Sequence, residues 1–567
     1  MSSSISPPIR SASKANRPYS EARRKLLRES KSFLNWENRA RIHRATISSL
    51  KNASLSLADC KPCRYRLVDC LQLAHHDKFI VYECSDIYGI PYSAISYVWK
   101  SNYPSPSQQR GTFVVEGALD GDPISIDILV HAARASIMAG AKYMWMDRLC
   151  IIQTSRMDKH WQIKNMYHVY NLCVTCIILP DGVGHLADLD KETSWIKRSW
   201  TLQEAVSPKK EPVVLFAWKH GSGRLIDEVD YDDPFMETDQ TWWLDVTEIT
   251  SRRCATCPIR PLLHLTAFQY RSQLFFCPSD RSHDRLLVPK PVVLGSSECR
   301  LVPLRDALNP SQREDSRASA IWRSAFTRAS SRPVDMVFSI MGLFGITLDV
   351  AAFDKDDRVG ATIALAQAIL ENGGKPTWLL ISHTLPPCNF LCSFPAFPVS
   401  KETGEVTVRA QAGNEVAIED IMDSGACYDC RDLIEAESLD EKGYLTIKCP
   451  AIPIVDMPSD QSIHRDSILE TTDGRIWKLQ SKPTEVGRHK AGNTYAIAIG
   501  KDDVWGDTSQ LMGFIVEKHA PDRFHRTASF RLTLDEEMEE KMMSWKQGSF
   551  RIGGPDPLPK SHDNDRK

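Results

Sequence analysis

Between residues 66 and 180 the chain alternates short apolar runs with stretches whose apolar positions recur every three or four residues. Arg66-Leu67-Val68 and Phe79-Ile80-Val81-Tyr82 read as strands, and segments 92–99, 143–152 and 174–179 as three more, each strongly apolar. Ile126, Leu129, Val130, Ala133 and Ile137 mark one face of a helix that Gly140 would close; Ile163, Met166, Tyr167 and Tyr170 mark a second, opened near Asp158. A strand without a polar face has to be covered on both sides, and a 3.6-residue period supplies the covering helices. The order strand–helix–strand–helix–strand therefore predicts an α/β domain over 60–220 with a mainly parallel sheet flanked by helices.

Downstream the pattern changes. A further short helix is expected after Trp200. Residues 221–395 read as a connector with prolines and an acidic stretch at 227–233, followed by helical spacing from 318 to 370. Over 396–550 short β-rich runs at 406–409, 444–449, 494–499, 514–516 and 528–532 predict an antiparallel sheet or small barrel. Residues 1–50 hold eleven Lys/Arg against Glu21, Glu29 and Glu37, which predicts a basic tail, with 1–20 disordered and a short helix at 22–35. The same composition suits a mitochondrial transit peptide, the alternative reading of that tail. The Pro- and charge-rich end, 551–567, is expected to be disordered.

Composition narrows this picture without redirecting it. At 567 residues the chain exceeds one core. Seventy Lys/Arg against 72 Asp/Glu leave a net charge of −2, so no global field points to nucleic acid. No apolar run reaches the 18 residues of a membrane-spanning helix. Without an apolar leader, the sixteen cysteines read as reduced thiols in a cytoplasmic protein.

Three segments carry the strongest signal: Pro91-Tyr92-Ser93-Ala94-Ile95-Ser96-Tyr97-Val98-Trp99, then Trp145-Met146-Asp147-Arg148-Leu149-Cys150-Ile151-Ile152-Gln153, then Arg198-Ser199-Trp200-Thr201-Leu202-Gln203-Glu204. In this order and spacing they resemble the HET (heterokaryon incompatibility) domain of fungal proteins. The chain departs from that pattern at Lys100, where the family has Gly, at Arg148, where it has a small residue, and at Ile152, where it has Asn. The resemblance implies a TIR-like, flavodoxin-like sheet and a role in non-self recognition or regulated cell death, through a protein partner or self-association. Some TIR domains cleave NAD with a glutamate, so an NAD glycohydrolase is the enzymatic alternative, and a self-associating scaffold the non-enzymatic one.

On this reading Asp147 sits where a parallel strand ends, the edge at which open α/β sheets take ligands. It is a candidate catalytic or ligand-contacting carboxylate; the alternative is a structural carboxylate bonded to the next loop, to Arg148 or to Arg198. Glu204 is the candidate catalytic glutamate, or else a helix-capping partner of Arg198. Ser96, Trp99 and Gln153 are candidate contacts for NAD or another nucleotide around the same cleft. No resident cofactor and no metal site are predicted. Cys60-Lys61-Pro62-Cys63 with Cys70, His75 and His76 would be the best zinc set, although its spacing is irregular. Gly182-Val183-Gly184 imitates a dinucleotide-binding turn but reads as an ordinary loop, and Cys150 as a packed thiol.

Overall fold

The computed structural model describes Glu21 and residues 40–101, 110–228, 242–267, 273–279 and 285–559, apart from 402–403, 411–412, 424–429, 431–432, 456–467, 473–475, 479–492, 504–508, 535–538, 541 and 543. The expected disorder of 1–20 and the helix at 22–35 lie outside these residues, as do 560–567 of the tail; residues 551–559 are described, and Arg551 and Ile552 finish the strand Lys546–Ile552. The chain divides into two compact units. The first holds residues 1–195 and 207–294, and the second 196–206 and 295–567. Among the described residues no helix is long and apolar enough to cross a membrane.

The first unit is built on a twelve-stranded mixed sheet. At its heart Tyr143–Trp145, Tyr92–Tyr97, Cys176–Leu179 and Val213–Ala217 lie side by side and parallel. All six side chains of Tyr92–Tyr97 are buried, as a strand covered on both faces requires. Tyr92 donates its hydroxyl to Val169 O at 2.6 Å, on the helix Arg156–Leu172. Ser93, pointing the opposite way, meets Ser136 at 2.6 Å, on the helix Ile126–Met138. Neighbouring strand residues face opposite sides, so the two helices cover opposite faces and the architecture is layered α/β/α. Gly140, at φ 93°, follows the end of the Ile126–Met138 helix in the left-handed conformation expected of it.

Antiparallel strands extend this heart both ways. Tyr65–Asp69, Lys78–Cys84 and Ala40–Thr46 add to one side; Cys254–Pro258, Trp242–Thr250, Gly223–Glu228, Gln273–Pro278 and Leu286–Leu287 add to the other. Two expectations are corrected here. The described residues of 221–294, read as part of a loose connector, continue the sheet and carry the helix Ile259–Ala267. The strand expected over 143–152 stops at Trp145, and Asp147–Cys150 forms a helical turn. That turn is buried too, so its apolar run gave the same signal as a strand.

Beneath the sheet the Arg66 side chain is wholly buried. It lies 3.1 Å from Asp158 and 3.4 Å from Glu83, and donates to Cys150 O at 2.9 Å and to Lys61 O. Asp158 therefore does more than open a helix. Ser155 caps that helix, while the Asp158 carboxylate also accepts the amides of Cys63 at 2.7 Å and Ile152 at 2.8 Å.

The second unit pairs helices with a barrel. Its helices include Glu298–Leu308, Glu314–Phe326, Asp335–Met341 and Arg358–Glu371. Leu445–Pro453, Thr494–Asp503, Ser509–Ala520 and Arg523–Leu534 run as an antiparallel meander. Lys546–Ile552 closes it, antiparallel to Leu445–Pro453 and bridged in parallel to Phe524. Of the two β architectures expected from the sequence, the closed barrel forms. Gly513 lets it pack: a Cβ there would stand 2.0 Å from the Phe530 ring.

Among the described residues four arginines are buried in this unit, Arg300, Arg323, Arg328 and Arg526, and two of them are held in contrasting ways. Arg323 reaches Asp423 at 3.1 Å, and Ser382 donates to the same carboxylate at 2.5 Å. Burial pushes the Asp423 carboxyl up, but Arg323, His383 and the Ser382 bond outweigh it and hold the group at about 2. Among the described residues Arg526 meets no carboxylate in its hydrogen bonds. It donates to Ser382 O and Leu385 O at 3.4 Å and to Ser529, and lies 4.0 Å over the Phe514 ring.

Candidate functional site

Across the sheet the parallel strands run second, first, third, fourth in chain order, so the connections diverge on either side of Tyr92–Tyr97. Such a reversal opens a crevice at the strand C-terminal ends. The segments leaving that edge are Val98–Ser101, Met146–Arg148 and Pro180–Gly182. Gly182 approaches so closely that a Cβ would lie 2.7 Å from Val98 O, and its φ of 87° suits only glycine well.

Asp147, half-buried, organises the edge. Its carboxylate accepts the Tyr97 hydroxyl, the Trp99 indole N–H at 3.1 Å and the Arg148 amide at 2.6 Å. Its backbone carbonyl accepts Gln153 Nε2 at 3.1 Å. Burial, and then the Asp147 charge, push the Tyr97 hydroxyl far above its usual range, so it stays a donor. Three of the predicted residues, Trp99, Asp147 and Gln153, thus meet in one cluster. Ser96 is fully buried and accepts the Trp195 indole N–H at 2.8 Å.

Arg148 is the residue whose role the sequence hid. Wholly buried, it donates to Asp122 O at 2.6 Å and Ala118 O at 3.3 Å, and its guanidinium lies 5.7 Å from the Trp99 ring centroid. Asp122 in turn donates its amide to Trp99 O at 2.8 Å and accepts the Ser101 amide at 2.6 Å. The departure from a small residue is thereby explained: a long cation pins the 118–122 loop against the indole. Lys100 is exposed, and the turn after Trp99 forms without a left-handed residue there. Asp181 accepts Ser101 Oγ at 2.7 Å and pairs with His185 at 2.6 Å, which fixes the glycine-containing loop as a braced turn.

Residues 92–190 match the family model described as Heterokaryon incompatibility protein (HET). The chain carries a HET domain. No curated protein and no solved structure matches the chain. The match spans the first two sequence motifs and ends before the third, and all of it falls within the first unit.

The third motif belongs to the second unit, where it forms the short helix Trp200–Val206. Ser199 donates its amide to Ala329 O at 2.9 Å, and Trp200 donates to Asp335. The buried Arg328 donates to Arg198 O at 2.9 Å and Thr201 Oγ1 at 2.7 Å. Burial, with Arg300 nearby, lowers this guanidinium to about 9, and Glu204 opposes that shift. Glu204 is half-buried beside this cation.

The HET domain's chemistry is that of a braced polar edge. Cys150 lies at the back of it, its thiol pushed up to about 12 by burial, which leaves it a packed group. Among the described residues no group of three His, Cys, Asp or Glu side chains is disposed to hold a metal ion. Asp147 accepts three donors and so holds the Tyr97 hydroxyl and the Trp99 indole at this edge.

Proposed function

We propose that the protein is an effector of non-self recognition that triggers regulated cell death from inside the cell, with the HET domain as its active module. The match of residues 92–190 to the heterokaryon incompatibility family carries this reading. The occupied state of Asp147 supports action through binding, either of a protein partner or of a second copy, with the edge around Trp99 and Gln153 as the contact. A nucleotide, NAD included, is the small-molecule alternative for the same edge, and hydrolysis by Glu204 the enzymatic one.

Inducible expression of the full chain in a filamentous fungus, with growth and free nicotinamide followed together, tests this. Arrest on induction, abolished by Trp99→Ala and retained by Glu204→Gln, is the expected result. Removing one preorganised electrostatic contact slows an enzyme about 10²–10³-fold. A folded Glu204→Gln protein that loses both arrest and nicotinamide release would therefore replace binding with hydrolysis. Unimpaired growth with the full chain at high level, before and after fusion with unlike strains, would overturn the effector role.

A further inference from the structure

The described cysteines differ sharply in access. Only Cys60, Cys63 and Cys277 reach solvent, and the others are buried. Two of those three sit three residues apart, as Cys60-Lys61-Pro62-Cys63, in a segment that bends at Pro62 and Cys63. Pro62, between them, fixes its own φ. Cys63 has a φ of 58°. Left-handed backbone is uncommon for a residue other than Gly, Asn or Asp, and such an outlier must be held by its surroundings.

What holds it is the Arg66 cluster. The Lys61 amide donates to Glu83 at 3.1 Å, the Lys61 carbonyl accepts Arg66, and the Cys63 amide donates to Asp158 at 2.7 Å. Arg66 also donates to the Cys60 sulfur. The other oxygen of Asp158 accepts the Ile152 amide at 2.8 Å, and Arg66 holds Cys150 O. One ion pair thus fastens the cysteine turn to the loop that ends in Gln153.

We infer that Cys60 and Cys63 form a reversible thiol–disulfide site that takes a low-molecular-weight disulfide as its oxidant and signals through Asp158 to the Cys150–Gln153 loop. The Cys63 thiolate attacks one sulfur of the oxidant, whose S–S bond breaks and releases a thiolate that takes up a proton. The Cys60 thiolate then attacks the Cys63 sulfur and expels the second thiolate. Two protein thiols become one disulfide, and two electrons pass to the oxidant, which leaves as two thiols. Burial raises the Cys60 thiol while Arg66 draws it back. Closing the bond removes the Cys60 thiol from Arg66 and pulls on the Cys63 amide, the two points where the turn meets the cluster.

The test equilibrates the full chain in mixtures of reduced and oxidised glutathione, then alkylates it and maps its peptides. Cys60 and Cys63 are expected to lose alkylation together, with a mass decrease of about 2 Da and no attached glutathione. Amide exchange at Ile152 should quicken about tenfold or more on oxidation, and the Cys60→Ser/Cys63→Ser protein should show no such response. Cys277→Ser should change neither readout. Independent alkylation of the two thiols in fully oxidised buffer, or separate glutathione adducts on each, would overturn the site. A disulfide that leaves Ile152 exchange unchanged would overturn the signalling.

Discussion

Arg66 in the α/β unit and Arg526 in the barrel unit are both cut off from water, yet they are held in opposite ways. Arg66 lies between Asp158 and Glu83 and also satisfies two backbone carbonyls. Arg526 rests on neutral oxygens and an aromatic face; among the described residues its Nε and Nη1, like Arg66 Nε, have no hydrogen-bond partner, and burial lowers its guanidinium to about 9. A buried cation with matched carboxylates is costly to remove, because the carboxylates stay behind uncompensated. One held by neutral acceptors leaves little charge imbalance when it goes. The first kind fixes a geometry; the second mainly fills space.

The largest expected effect breaks the matched cluster. Arg66→Met should destabilise the first unit by about 3–5 kcal/mol, the scale for stranding buried charges. It should be read as faster amide exchange in the peptides around Tyr65–Asp69. Adding Asp158→Asn and Glu83→Gln should recover part of that loss, because the stranded charges go with it; a strictly additive triple variant would contradict the pairing.

Asp423 sharpens the comparison by pH, since it is the carboxylate that Arg526 lacks and Arg323 has. Its folded pKa of about 2 lies below the unfolded value of about 3.9, so the unfolded chain binds the proton first. The stabilisation is full above about pH 4 and lost as pH falls towards 2, an effect of about 2–3 kcal/mol. His383, held below its usual range by burial, adds a loss that begins nearer pH 6.5. Acid denaturation of Asp423→Asn should lack the step between pH 4 and 2. The smallest effect is expected at Arg526→Met, where stability should stay within about 1 kcal/mol of the parent or rise. A loss as large as at Arg66 would show that charge matching is not what separates the two sites.

Much of the parallel heart was legible because its signals are local. The buried run around Ala94 and Ile95 and the stripe Ile126–Ile137 carry periods that only one backbone geometry satisfies. The run after Trp145 misled because a buried helical turn and a buried strand are equally apolar over four residues. The Arg156–Leu172 helix was legible, but its buried face turns toward Asp158, Gln162, Met166, Val169 and Tyr170, because a polar cluster lies beneath it. The site was half legible. Trp99, Asp147 and Gln153 stand inside recognisable motifs, whereas Arg148 registered only as a departure from one. That Arg198–Glu204 belongs to the second unit depends on partners more than a hundred residues downstream, such as Ala329 and Asp335, and no local pattern encodes that.

That long-range placement has a consequence in time. Residues 196–206 leave the ribosome in the middle of the first unit, and the helix Asp335–Met341 that receives the Trp200 indole follows roughly 135 residues later. At about 5–20 residues per second, the Trp200–Val206 turn waits about 7–27 s with Leu202 and Val206 uncovered. During synthesis the nascent chain therefore carries an apolar seven-residue segment until its partners in the second unit have been made.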